Sequence, residues 1–228
     1  MDFIIDGFFQ AIHLLITGND DTYSAIMATV KVSSSSIGFS LIIGIPLGFC
    51  LGYFDFFGKK TLRTIVDTLM ALPTVFVGLI VYAFLTNQGP LGSFHLLFTL
   101  PGIVIGQTIL ALPIVIGLSA AAIESMDKKL QITIISMGAN RRQLFFSTLW
   151  ELRHGLLAGA MAAYGRVMTE VGISMMVGGN IKWHTRTITT AIVLETNKGQ
   201  FGMGLALGLV LLVIAFCVNL SISLLGKK

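Results

Sequence analysis

Long apolar runs separated by short polar segments dominate this chain. Five runs predict membrane-spanning helices, at about 23–54, 64–86, 101–123, 156–177 and 202–225. Each is long enough for the roughly 20 residues that a helix needs to cross about 30 Å of hydrocarbon. In the first span, Lys31 and the run Ser33–Ser36 make one half polar, while Gly44, Gly48 and Gly52 form a stripe of small residues. Such a stripe permits close helix packing, which we expect within one subunit rather than at a dimer seam.

The amino-terminal segment is apolar but too short to span a bilayer. In residues 3–17, FIIDGFFQAIHLLIT, the polar positions Asp6, Gln10 and His13 recur at helical spacing. This pattern predicts an interfacial helix and turn within residues 1–21. Residues 22–225 then form one transmembrane domain, so the expected fold is an all-α integral membrane protein with five spans.

The loop between the third and fourth spans, residues 126–155, has its own helical pattern. Its apolar residues recur at helical spacing on both sides of a break at Gly138, Ala139 and Asn140. Two short amphipathic helices suit either the lipid interface or a docked partner. The alternative is a helical loop that folds back on its own bundle.

Composition and charge agree with a membrane protein. Hydrophobic residues make up 54% of the chain and charged residues 11%, mean hydropathy is +0.86 and the sequence pI is about 9.2. The basic residues flank apolar spans, which indicates membrane topology rather than binding to nucleic acid. Ten lie on one side of the predicted bilayer and four on the other. The positive-inside rule then predicts a multi-pass protein of the prokaryotic cell membrane, with its amino terminus outside and its carboxyl terminus in the cytoplasm.

Motifs of catalysis are absent from the sequence. It has no Gly-rich phosphate loop followed by Lys-Ser/Thr, no HExxH, no CxxC and no GxSxG. We therefore expect neither enzymatic activity nor a bound metal or cofactor in this chain. Arg166 and Glu170 lie inside the fourth predicted span, four residues apart on one helix face. They form a structural ion pair, line a substrate path, or do both, because a charge in the membrane needs a partner or a wet cavity.

The chain resembles a known family over essentially its whole length, and three stretches carry the resemblance. The run GRVMTEVGISMMVGGNIKWHTRTITTAIVLETNKGQFGMGLALG, from Gly165 to Gly208, closely resembles the permease subunits of ABC importers for tungstate. The segments ALPTVFVGL and QTILALPIV, in the second and third spans, lie where that family has them. Molybdate and sulfate permeases are its relatives. The resemblance implies a type I ABC importer transmembrane fold, and a permease homodimer around one central path in the lipid bilayer. It also implies a separate cytoplasmic ATPase that binds ATP and Mg, and an extracytoplasmic oxyanion-binding protein.

The same resemblance identifies loop 126–155 as the segment that docks on the ATPase. In these permeases the loop carries EAA, three residues, Gly, nine residues and then I-x-L-P. Aligned on Gly138, this chain has Ile132, Thr133 and Ile134 at the EAA positions and Trp150 and Glu151 at the L-P positions. Only the Gly is retained. The residues expected to couple to the ATPase are Gly138, Ala139, Asn140, Arg141 and Arg142.

The segment between the fourth and fifth spans, residues 178–199, is called the outer segment. Its cations Lys182, His184, Arg186 and Lys198 favour an approaching dianion, although we expect Lys182 and Lys198 to contact the binding protein. A short helix here would aim backbone N–H groups and hydroxyls at an oxyanion. The candidate path residues are Arg186, Thr187, Thr189, Thr190 and Gln107. The expected substrate is tungstate, with molybdate or sulfate as the alternative in the same family and a secondary anion transporter as an alternative class.

Overall fold

The computed structural model describes residues 9, 12 and 20–226. Within that part of the chain the regular structure is helical and contains no strand. The first five helices are α1 (Asp20–Tyr53), α2 (Lys59–Met70), α3 (Thr74–Leu85), α4 (Leu100–Glu124) and α5 (Lys128–Ser136). The next five are α6 (Arg141–Glu151), α7 (Arg153–Met168), α8 (Gly172–Gly178), α9 (Ile188–Asn197) and α10 (Phe201–Gly226). The interfacial helix expected before residue 20 lies outside the described residues, apart from two isolated positions.

Helices α1 and α4 form the central pair of the fold. The Ser36 and Ser40 hydroxyls lie 3.3 Å from the backbone carbonyl oxygens of Val104 and Thr108. The two helices therefore run in the same direction with a fixed register. Further along, the glycine stripe faces α4 so closely that a Cβ added at Gly48 would lie 2.6 Å from the Cβ of Ser119. The prediction that this stripe packs within one subunit is confirmed.

Two apolar clusters attach further helices to this pair. Ala163, Tyr164, Val167 and Met168 of α7 pack on the α1–α4 pair, with α10 residues at the edge. At the end of α1 nearest residue 20, Ile188 of α9 packs with residues of α1 and α10. The outer segment is thus held on the bundle by α9.

The second predicted span, 64–86, is not one straight helix. Helices α2 and α3 meet at a bend of 95° across residues 71–73. Pro73 explains the break, because proline lacks the N–H that a helix interior needs and restricts the residue before it. Asp67, which falls within this predicted span, is half-exposed and pairs with Arg63 at 3.4 Å.

The fourth predicted span, 156–177, is also divided. Helix α7 ends at Met168 and α8 begins at Gly172. The two breaks meet, since a Cβ added at Gly172 would lie 3.1 Å from both the Val75 nitrogen and the Thr74 hydroxyl. Within the described residues, α1, α4 and α10 are long and apolar enough to cross a membrane, and α2 with α3 makes up to four spans. The count of five spans stays a prediction.

Candidate functional site

The loop between α4 and α7 consists of two short helices joined at a glycine. Gly138 follows α5 with φ of 78°, a left-handed conformation that glycine adopts without steric cost. Asn140 then caps α6: its side chain accepts from the Gln143 N–H at 2.9 Å, and the Gln143 side chain accepts from the Asn140 N–H at 2.9 Å. The predicted helix–break–helix arrangement is confirmed. Arg141 and Arg142 begin α6 with exposed side chains.

One face of this loop packs on the bundle and the other stays exposed. The Phe145 ring lies edge-on to Phe49 of α1, with centroids 4.9 Å apart, and Thr148 is fully buried. The loop thus folds back on its own bundle, as one of the two alternatives predicted. A second set of apolar side chains remains uncovered, comprising Ile132, Ile135, Met137, Phe146 and Trp150. The loop therefore keeps an exposed apolar surface beside two arginines.

The outer segment begins with a tight loop closed by its own backbone. The Ile181 carbonyl accepts hydrogen bonds from the N–H groups of His184, Thr185 and Arg186 at 2.9–3.1 Å. Asn180 and Trp183 have φ of 52° and 68°, which is uncommon for residues with a side chain. Such strain persists where the surrounding structure holds it, often at functional sites.

Three of the candidate path residues form the start of α9. Thr187 caps the helix through reciprocal hydrogen bonds with Thr190, and the Thr189 hydroxyl donates to the Glu170 carbonyl at 3.0 Å. All three threonines are buried. The Ile188 N–H donates to the Thr29 hydroxyl of α1 at 2.9 Å. The hydroxyls expected to face an oxyanion are thus engaged inside the subunit, where they fix the position of α9.

Gln107, another candidate path residue, lies within the protein rather than on an open surface. Its side chain is 2% exposed. The Ser36 hydroxyl lies 3.4 Å from Gln107 Oε1, and Gln107 Nε2 donates to the Ser174 hydroxyl at 3.3 Å. Gln107 therefore links α1, α4 and α8. Ser174 and Thr29 were not among the sequence candidates, because a lone serine or threonine in an apolar run gives no signal of its partner.

Arg186 is half-buried at the edge of the outer segment. Its Nε donates to the Asn180 side-chain oxygen at 3.2 Å. It lines a cavity of about 140 Å³ together with Asp21 and Glu195. Those two carboxylates already have cationic partners, Lys182 at 2.6 Å and Lys198 at 2.8 Å. Lys182 and Lys198 are thus half-exposed and paired with acidic residues of the same subunit, and their expected contact with a binding protein stays a prediction.

The predicted ion pair between Arg166 and Glu170 is not formed. The break after α7 separates the two residues, so they do not share a helix face as i and i+4 positions do. Arg166 is exposed. Glu170 is 3% exposed, and its Oε1 accepts a hydrogen bond from the Ile173 N–H of α8 at 3.0 Å. Glu170 thus stabilises the start of α8, and a path role for Arg166 stays a prediction.

Known proteins match this chain along most of its length. The tungstate uptake system permease protein TupB of Campylobacter jejuni is 52% identical over 96% of this chain and 92% of its own length. A probable anion ABC transporter permease protein of Haloferax volcanii is 37% identical over 86% of this chain and 87% of its own.

The fold and the family model agree with these relatives. The crystal structure of a bacterial ABC transporter involved in the import of the acidic polysaccharide alginate superposes with a TM-score of 0.73. It is 20% identical and covers 94% of this chain and 82% of its own, so it supports the fold alone. The model of the family described as "Binding-protein-dependent transport system inner membrane component" matches residues 44–228. The chain therefore belongs to the family of inner membrane components of binding-protein-dependent transport systems.

Proposed function

We propose that this chain is the permease subunit of an ATP-driven oxyanion importer and that its substrate is tungstate. The observation that carries the proposal is the 52% identity to the C. jejuni tungstate permease over 96% of this chain. The name of the H. volcanii relative, a probable anion permease, agrees with an anionic substrate. The chain forms the translocation path in the membrane and leaves ATP hydrolysis to another subunit.

The loop at 126–155 couples the path to a cytoplasmic ABC ATPase, which binds the ATP and Mg. Its exposed residues Ile132 and Ile135 on α5 and Phe146 on α6 supply an apolar surface on two short helices, and Arg141 and Arg142 flank it. An amphipathic helix with such a face fits a hydrophobic groove on a partner. The turn at Gly138 sets the angle between the two helices, so a movement of the ATPase would be passed to α4 and α7, to which the loop is joined.

Arg186 supplies the positive charge at the outer mouth. Because Lys182 and Lys198 are paired with carboxylates, Arg186 is the half-buried cation of the outer segment that keeps no such partner within 4 Å among the described residues. The threonines at 187, 189 and 190 act by holding α9, and thereby Arg186, in place. A homodimer brings two copies of this arginine to one path, to which an extracytoplasmic oxyanion-binding protein delivers the substrate.

Molybdate and sulfate are the alternative substrates. Tungstate and molybdate are tetrahedral dianions of nearly equal size, so we assign their discrimination to the binding protein. A secondary transporter is the alternative class. It would use coupled intramembrane carboxylates, whereas Glu170 is the single buried acidic residue in the part of the chain that the structure describes.

Competition between oxyanions tests the proposal. The complete importer, with its ATPase and binding protein, is reconstituted in vesicles and supplied with labelled tungstate. We expect ATP-dependent uptake that unlabelled tungstate suppresses at lower concentration than molybdate or sulfate. Stronger competition by molybdate or sulfate would assign the substrate to that oxyanion. Uptake that continues without ATP and follows an ion gradient would reject the importer.

A further inference from the structure

Lys31 lies on the outward face of α1 without an acidic partner. Its side chain is exposed, and no carboxylate of the described residues lies within 4 Å of its ammonium group. Four exposed apolar residues lie further along α1, namely Phe39, Ile42, Ile43 and Leu47. Lys31 is therefore the single charge at one end of an apolar stripe.

A groove opens between this stripe and the first turns of α4. Its volume is about 350 Å³, and its walls include Ser35, Phe39, Leu100, Pro101 and Val104, with Lys31 at its edge. The lining is mostly apolar, and none of the described residues in it is acidic. A hydrated dianion such as tungstate is ill-suited to such walls. An amphiphile with an anionic head and a hydrocarbon chain fits both features.

The register of α1 against α4 places Lys31 at the membrane boundary. The Ser36 hydroxyl lies beside the Val104 carbonyl, and the Ser40 hydroxyl lies beside the Thr108 carbonyl. Lys31, five residues before Ser36, is therefore level with the beginning of α4 at Leu100. Helix α4 has 25 residues, about 37 Å at 1.5 Å per residue, which is enough to cross the roughly 30 Å hydrocarbon layer. Its first turn therefore lies at headgroup depth, where a lysine meets lipid phosphates.

We propose that this groove binds an anionic phospholipid, with the phosphate at Lys31 and an acyl chain along the stripe from Phe39 to Leu47. The positive end of the α4 dipole lies at the same level and adds to the attraction. The proposal requires only that α1 and α4 cross the bilayer. It does not depend on which oxyanion is transported.

Fluorescence quenching by spin-labelled lipid tests the proposal. The free cysteines Cys50 and Cys217 are replaced by Ala, and Ile42→Cys carries an environment-sensitive fluorophore on the stripe, outside the groove lining. The complete importer is reconstituted in phosphatidylcholine vesicles that contain chain-labelled phosphatidylglycerol or chain-labelled phosphatidylcholine. We expect phosphatidylglycerol to quench about five-fold more effectively, the factor expected for one basic residue near a membrane surface.

Charge variants distinguish a specific phospholipid site at Lys31 from general electrostatic attraction to anionic lipid. Lys31→Gln should bring the ratio of quenching by phosphatidylglycerol to quenching by phosphatidylcholine close to one, whereas Lys31→Arg should retain the original ratio. Lys60→Gln, which removes an exposed lysine near the start of α2, should leave the ratio unchanged. A ratio near one in the unaltered protein, or one that survives Lys31→Gln, would overturn the proposal. Quenching by neither lipid would also overturn the proposal, because a second copy of the chain then covers this face. Quenching by aqueous iodide alone would overturn it as well, because the face then lines a water-filled path.

Discussion

The side-chain hydroxyl of Thr189 donates a hydrogen bond to the backbone carbonyl of Glu170 at 3.0 Å. This contact joins α9, in the outer segment, to the break between α7 and α8. The Glu170 carboxylate accepts a hydrogen bond from the Ile173 N–H at the start of α8. One short stretch of backbone therefore connects the outer segment with the break in the fourth predicted span, so we expect a movement of either one to displace the other.

Thr189→Val should destabilise the protein by about 1 kcal/mol, because the Glu170 carbonyl loses its donor in a buried site. The matched control is Thr148→Val, since the Thr148 hydroxyl is buried and has no hydrogen-bond partner among the described residues. That replacement should be neutral or stabilising. Thermal unfolding of the two purified variants compares them directly. Equal losses of stability would mean that the Thr189 contact contributes nothing of its own.

Gly48→Ala should destabilise the α1–α4 pair by about 1–3 kcal/mol, as overpacking does in closely packed cores. The added Cβ would lie 2.6 Å from the Ser119 Cβ and 2.9 Å from the Ile116 carbonyl oxygen, neither of which is the end of a flexible side chain. Gly38→Ala is the control on the same helix, because no atom of the described residues lies within 4 Å of its added Cβ. The yield of folded protein should fall for the first variant only. A normal yield and unfolding temperature for Gly48→Ala would show that the helices can separate without cost.

Arg166→Ala and Glu170→Ala should have additive effects on stability, with a coupling energy below about 0.5 kcal/mol. The reason is that the two side chains do not pair. Glu170→Ala alone should cost about 0.5–2 kcal/mol, as loss of a helix cap does, while Glu170→Gln should keep an oxygen for the Ile173 N–H and remain close to the original stability. A double-mutant cycle of unfolding measures the coupling. A coupling energy well above 1 kcal/mol would indicate that Arg166 and Glu170 do form an ion pair.

Gly138→Val should uncouple ATP hydrolysis from uptake while the protein still inserts and folds. Its φ of 78° strains any residue with a Cβ, and a β-branched side chain most. Gly199→Val is the matched control, since Gly199 has φ of 79° and also has open space around an added Cβ. Both changes should reduce stability to a similar extent, but only the first should lower the uptake per ATP hydrolysed. Unaltered coupling in Gly138→Val would contradict the assigned role of this loop.

Arg186→Ala should lower uptake at limiting substrate without changing basal ATP turnover, because it removes the cation that we propose for the outer mouth. Asn180→Gly separates charge from loop structure: it removes the hydrogen-bond partner of Arg186 while relieving the positive φ of Asn180. Uptake assays with titration of the loaded binding protein distinguish the roles. Impaired uptake with unchanged affinity, in Arg186→Ala only, supports the path. Weakened affinity would instead assign Arg186 to docking, and an equal defect in Asn180→Gly would assign it to holding the loop.

The sequence alone determined the features that depend on local pattern. Apolar runs of sufficient length predict membrane helices wherever they occur, because the cost of unpaired backbone groups in lipid leaves few alternatives. The turn at Gly138 with its cap at Asn140, and a short helix in the outer segment, also follow from residues that are neighbours in the chain. The family resemblance rested on contiguous motifs of the same kind, and the match over residues 44–228 confirmed it.

Tertiary structure decided the partners of the polar side chains. Glu170 and Arg166 have the spacing of a helical ion pair, yet the helix ends between them, and this end depends on the packing of Gly172 against Thr74 and Val75. Lys182 forms an ion pair with Asp21, which lies 161 positions away in the chain, and the Ile188 N–H donates a hydrogen bond to the Thr29 hydroxyl. A polar group in an apolar environment must be paired, so its partner is whatever the packed helices bring within reach. For that reason the residue types could be read from the sequence, while their pairings required the fold.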